Sequence, residues 1–140
     1  MEKEFITYNQ ALALKELGFD EPCFGYYQKS AVIGDATILP IQIRNKASNF
    51  NDNEYSKMGV PFCSAPTYSQ VFRWFREKYG LIGQPMSLCI SYPGKVTHYG
   101  WSIVSNQNSI DWENEDNGFK IYEEAESKCL DKLIEICKTK

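Results

Sequence analysis

Three short segments with the same beginning set the layout of this chain. "TYNQALALKELG" starts at Thr7, "TYSQVFRWFREKYG" at Thr67, and a looser copy, "IYEEAESKCLDKLIE", at Ile121. A Thr followed three positions later by Gln predicts a capping box, in which hydroxyl and amide satisfy backbone N–H groups at the start of a helix. Each segment continues with apolar residues at steps of three or four. The pattern predicts three amphipathic helices, over about 8–17, 67–79 and 122–137.

The third copy differs from the other two at its first residue. Ile121 stands where they have Thr, so we expect this helix to begin without the same side-chain cap. Glu123 and Glu124 in its first turn and Lys138 near its end suit the helix dipole. The three copies are explained either by an internal duplication or by the independent convergence of helix starts.

Between the helices the residues favour strands. "CFGYYQ" from Cys23, "AVIGDATILPIQIR" from Ala31 and "MSLCISYPGKVTHYGWSIVS" from Met86 are rich in aromatic and β-branched residues, and Pro93-Gly94 marks a turn in the last of them. A further strand is expected at about 109–112. The sequence therefore predicts an α+β fold, with a mainly antiparallel sheet packed against the three helices.

Length and composition favour one globular domain. A chain of 140 residues can bury one core, and 43% hydrophobic and 14% aromatic residues make it too apolar for disorder. The interval of about 45–66 is an exception, because it is rich in asparagine and has no sustained periodicity. An irregular segment of that length is expected to contain either a short element or a functional excursion.

The expected location is the cytoplasm. No apolar run approaches the roughly 18 residues of a membrane span, and "MEKEFITY" lacks the features of a secretion signal. Five cysteines, none of them in a CxxC pair, favour reduced thiols. We therefore expect no membrane association, and the oligomeric state stays open.

No catalytic or metal-binding constellation is visible. His98 is the only histidine, no nucleophile motif is present, and the cysteines lack the paired spacing of zinc sites. The acidic run "DWENEDNG" does not match a calcium loop. We expect no catalytic residue, metal or cofactor, and a small cysteine-dependent enzyme built on Cys63 and His98 is the third hypothesis.

One segment suggests nucleic-acid binding. "FRWFREKYG" combines Arg73, Arg76 and Lys78 with Trp74, and cations interleaved with an aromatic ring can hold phosphates and stack a base. The simpler interpretation is an amphipathic helix with a cationic polar face. The net charge of -3 and the neighbouring Glu77 favour that interpretation.

The segments "TYNQALALKELGFDEPCFGYY", "APTYSQVFRWFREKYGL" and "YEEAESKCLDKLIEI" together resemble a family of short, uncharacterised proteins encoded by gut bacteria and their bacteriophages or prophages. The resemblance implies a mobile-element setting and carries no catalytic or binding residue onto this chain. We expect a non-enzymatic accessory or interaction protein that binds an unidentified protein partner. The strand aromatics Tyr26, Tyr27, Trp101 and Trp112 are candidate contacts, although aromatic residues of strands more often pack in the sheet under the helices. Nucleic-acid binding through helix 67–79 is the alternative.

Overall fold

The residues that the structure describes form an α+β fold. The computed structural model describes residues 2–29, 38–52, 62–91, 94–105, 111–113 and 118–139. The element bounds are Glu2–Glu4 (a 3-10 helix), Tyr8–Glu16 (α1), Cys23–Gln28 (β1), Gln42–Ser48 (β2), Phe62–Ala65 (β3), Tyr68–Tyr79 (α2), Leu81–Ser91 (β4), Lys95–Ser105 (β5), Asp111–Glu113 (β6) and Tyr122–Lys138 (α3). The predicted α+β class is confirmed.

The helices lie where the repeated segments predicted them, and each observed boundary is within one residue of the prediction. The strands differ more. The strand expected from Ala31 is observed from Gln42, and residues 30–37 lie outside the described part. The strand expected from Met86 begins earlier, at Leu81, and the one expected at about 109–112 is β6.

The interval predicted as irregular, about 45–66, begins inside β2 and ends just after β3. Residues 53–61 of this interval lie outside the described part. The asparagine-rich composition of this interval did not indicate β2, because a strand at the end of a sheet tolerates polar side chains. Strand β3, at the other end, is buried throughout.

The described strands form two antiparallel sheets, where the sequence suggested one. Sheet A has the order β2-β1-β3, and sheet B has the order β4-β5-β6. The chain divides into two compact units, residues 1–67 with α1 and sheet A, and residues 68–140 with sheet B, α2 and α3. A single domain over 1–140 stays a prediction.

Helix α1 has a well-defined structure at both ends. The Thr7 hydroxyl accepts from the N–H of Gln10 at 3.3 Å, and the Gln10 side chain accepts from the N–H of Thr7 at 3.0 Å. The predicted capping box is confirmed. At the other end Gly18 adopts a φ of +90°, and the N–H of Phe19 donates to the carbonyl of Leu14 at 3.0 Å. This is a Schellman motif, which satisfies carbonyls that the helix leaves unpaired.

Strand β1 is the centre of sheet A, and Gly25 within it allows a close approach. A Cβ at this position would lie 2.7 Å from the carbonyl oxygen of Ala65 and 2.8 Å from the ring of Phe5. The Tyr27 hydroxyl donates to the carbonyl of Ile6 at 2.7 Å, which ties β1 to the segment before α1. Helix α1 itself packs against β3.

Sheet B is built on the hairpin of β4 and β5, which are 11 residues long each. Gly94, in the turn between them, has a φ of +104°, the left-handed conformation that the predicted Pro93-Gly94 turn requires. Helix α2 packs against β4, and α3 packs against β4, β5 and α2. The buried face of α3 consists of Ala125, Cys129, Leu130, Leu133, Ile134, Ile136 and Cys137.

Three side chains of the helices have an exposure that their residue type or their sequence neighbours do not indicate. Leu12 is 40% exposed, because it lies about 200° around α1 from the buried Leu14. Tyr122 is 41% exposed, and its ring packs edge-on against Tyr99 with the centroids 5.7 Å apart. Trp74, which the sequence grouped with the basic residues of α2, is only 5% exposed.

Helix α3 offers a test of capping. Its N-cap residue Ile121 has an extended backbone and makes no side-chain capping hydrogen bond. We expect Ile121→Thr to raise the free energy of unfolding by about 1 kcal/mol, because the hydroxyl can accept from the N–H of Glu124. Urea denaturation followed by circular dichroism measures the change. Ile121→Val is the matched control, since it has the shape of Thr without the hydroxyl, and equal stability of the two variants would contradict the prediction.

Gly25 offers a test of the close packing around β1. We expect Gly25→Ala to destabilise the protein by about 2–3 kcal/mol, because the new Cβ meets a backbone carbonyl that cannot move away. Gly83→Ala is the comparison, since its Cβ would lie 2.9 Å from a side-chain methyl of Leu133, which can shift. Thermal denaturation ranks the two variants. A larger loss for Gly83→Ala would refute this account of β1.

Candidate functional site

The buried thiols are not activated nucleophiles. Burial raises the pKa of the Cys63 thiol to about 12, although the Lys15 ammonium acts in the opposite direction. Burial, and then the Glu21 carboxylate, raise the pKa of Cys23 to about 12. Burial also raises the pKa of Cys129 to about 12. Because the thiolate is the nucleophile, these three groups are almost entirely unreactive thiols at neutral pH.

His98 and Cys63, the pair of the third hypothesis, belong to different units. His98 is half-buried in β5 and lies opposite Cys89 in the register of sheet B, whereas Cys63 lies in β3 of the other unit. Across the described ranges, no group of three or more His, Cys, Asp or Glu side chains is placed to hold a metal ion. The described residues therefore contain no such metal-binding group, and they do not place Cys63 and His98 in the same unit.

The start of α3 brings two carboxylates close to a phenol. Burial, and then the Glu123 carboxylate, raise the pKa of Glu126. Burial, and then the Glu126 carboxylate, raise the pKa of Tyr122. A raised carboxyl pKa also occurs at acid-base sites. Here partial burial and the like charge account for it without a substrate.

The four residues of the nucleic-acid hypothesis do not share one surface. Arg73, Arg76 and Lys78 are exposed, whereas Trp74 is buried and packs edge-on against Phe75 with the centroids 5.0 Å apart. At 100° per residue the two arginines are about 60° apart, and Lys78 is about 140° from Arg73. The Lys78 ammonium instead lies 4.9 Å from the centre of the Trp74 ring. Arg73 and Arg76 therefore lie on one side of the helix, but the buried ring of Trp74 cannot stack on a base beside them.

Strand β2 is exposed along most of its length. Five consecutive residues, 42–46, are exposed. The register with β1 is interrupted along this stretch, because Ile43 pairs with Gly25 and Ser48 pairs with Cys23, so residues 44–47 form a bulge opposite Phe24. Strand β2 lies at the end of sheet A, and β1 is its strand partner among the described residues. The opposite end strand, β3, is fully buried, so among the described residues the two end strands of sheet A differ: β3 is covered and residues 42–46 of β2 are exposed.

Exposed apolar side chains lie in and beside this stretch. Phe24 in β1 is 53% exposed and Ile43 in β2 is 46% exposed. Ile38, which forms an isolated bridge with Lys29 shortly before β2, is exposed as well. Ile43 pairs with Gly25, whereas Arg44 lies over the ring of the next residue, Tyr26, so these side chains are distributed over both faces of sheet A. We define the edge surface as Phe24, Ile38, Ile43, Arg44 and Lys46.

Arg44 is held in place by aromatic rings. Its guanidinium carbon lies 5.1 Å from the centroid of Tyr26 and 5.6 Å from that of Phe50, which is a cation–π arrangement. Tyr26 and Phe50 are stacked with centroids 4.6 Å apart, and with Phe62 they form a buried aromatic cluster. No ion pair joins Arg44 or Lys46 to a carboxylate of the described residues. The edge surface therefore presents positive charge that these residues do not neutralise.

Polar side chains from the asparagine-rich segment fix this arrangement. The hydroxyl of the buried Ser64 accepts from the N–H of Phe50 at 2.8 Å. The Asn51 amide donates to the carbonyl of Phe19 at 2.9 Å, and its oxygen accepts from the N–H of Ser64 at 2.9 Å. These bonds hold the Phe50 ring in position under Arg44.

Sequence reasoning did not find the edge surface. Of the aromatic residues that it named, Tyr26 and Trp101 are buried, Tyr27 is half-buried, and the side chain of Trp112 lies outside the described part. Phe24 lies in the same aromatic strand as Tyr26. The sequence does not indicate that Phe24 is exposed and Tyr26 is buried, because this difference depends on the sheet. One available signal was the composition of "QIRNKAS", which has two cations and no carboxylate in an acidic chain.

No helix within the described ranges is long and apolar enough to cross a bilayer. Comparisons with protein-family models, with curated proteins and with solved structures find no match for this chain.

The thiol chemistry is open to a direct test. We expect Cys23, Cys63 and Cys129 of the native protein to react with iodoacetamide at about pH 8 at least roughly a hundredfold more slowly than in the urea-unfolded chain, because burial keeps the thiols protonated and inaccessible. Peptide mass mapping at successive times measures each rate, and the unfolded chain is the internal control. Fast alkylation of native Cys63 would restore the cysteine-enzyme hypothesis.

Proposed function

We propose that this chain is a non-enzymatic interaction protein that binds a protein partner through the edge surface. The observation that supports this most directly is the exposed stretch 42–46 of β2, which lies beside the exposed ring of Phe24. Aromatic rings and arginines contribute disproportionately to the binding energy of protein interfaces. In the edge surface Phe24 is the aromatic residue and Arg44 is the arginine.

The arrangement of Arg44 supports the proposal. A flexible arginine loses rotational freedom when it binds, which weakens an interface. The rings of Tyr26 and Phe50 already restrict the guanidinium of Arg44. Part of the entropic cost is therefore incurred during folding, before a partner arrives.

The proposal includes a cytoplasmic location and a mobile-element setting. The location is supported by the buried thiols of Cys23, Cys63 and Cys129, since thiols outside disulfides are typical of reducing compartments. The setting rests on the family resemblance of the three repeated segments. Neighbouring genes for capsid, replication or regulatory proteins would support it.

Nucleic-acid binding through α2 stays the alternative. Arg73 and Arg76 are exposed on one side of the helix, which favours phosphate contacts, but the buried Trp74 offers no stacking platform. Fluorescence anisotropy with single-stranded oligonucleotides at low and moderate salt separates the two hypotheses. Salt-sensitive binding that is lost in Arg73→Glu/Arg76→Glu would favour the alternative.

Site-specific crosslinking tests the proposal itself. A photo-crosslinking phenylalanine analogue replaces Phe24, and the protein is irradiated in cells and in their extract. We expect a crosslinked protein adduct from this position, because the side chain lies in the proposed interface, and mass spectrometry identifies the peptide that carries it. Adding Arg44→Glu to this variant should reduce the yield of the adduct several-fold.

The matched control carries the same analogue at Ile121, an apolar position that is 51% exposed in the other unit. An adduct at both positions in similar yield would indicate non-specific capture and count against the edge surface. Turnover of a substrate by the purified protein would count against a non-enzymatic role.

A further inference from the structure

We draw no further inference here: the strongest candidate, the cross-strand pair of His98 and Cys89 in the hairpin of sheet B, rests on backbone register alone, because the side chain of Cys89 lies outside the part of the chain that the structure describes.

Discussion

Strand β1 is hydrogen-bonded to β2 on one side and to β3 on the other, so it holds the three described strands of sheet A together. Helix α1 packs against β3, and that strand is buried along its whole length. The close approach of Phe5 and the Ala65 carbonyl at Gly25 draws the buried side of sheet A together. No described helix of this unit remains for β2. Among the described residues, one short helix packs against β3, and residues 42–46 of β2 are exposed.

Exposed apolar groups next to an exposed end strand are a hazard for a protein, because such strands pair with other chains. Two features reduce this hazard here. Arg44 covers the rings of Tyr26 and Phe50 through cation–π contacts, and Lys46 adds a second charge to the same strand.

Burial changes the role of two residues that the sequence had offered for chemistry and for binding. Cys63 lies within a fully buried strand, and its raised pKa keeps it protonated, so the local environment that makes a cysteine nucleophilic is missing. Trp74 is likewise more useful to the packing of α2 than to a ligand, since it contacts Phe75 in the core. Cys63 and Trp74 therefore both contribute to the packing of their units.

The sequence by itself determined the three helices and the α+β class, because capping residues and apolar periodicity are local signals that survive in the fold. The Thr7 capping box, the Gly18 stop and the uncapped start at Ile121 were all readable from neighbouring residues. Only the tertiary structure decided that the strands form two sheets, that Tyr26 is buried while Phe24 is exposed, and that Arg44 lies over two rings. Strand pairing and the coverage of a sheet edge depend on residues distant in sequence, and composition along one strand contains no record of them.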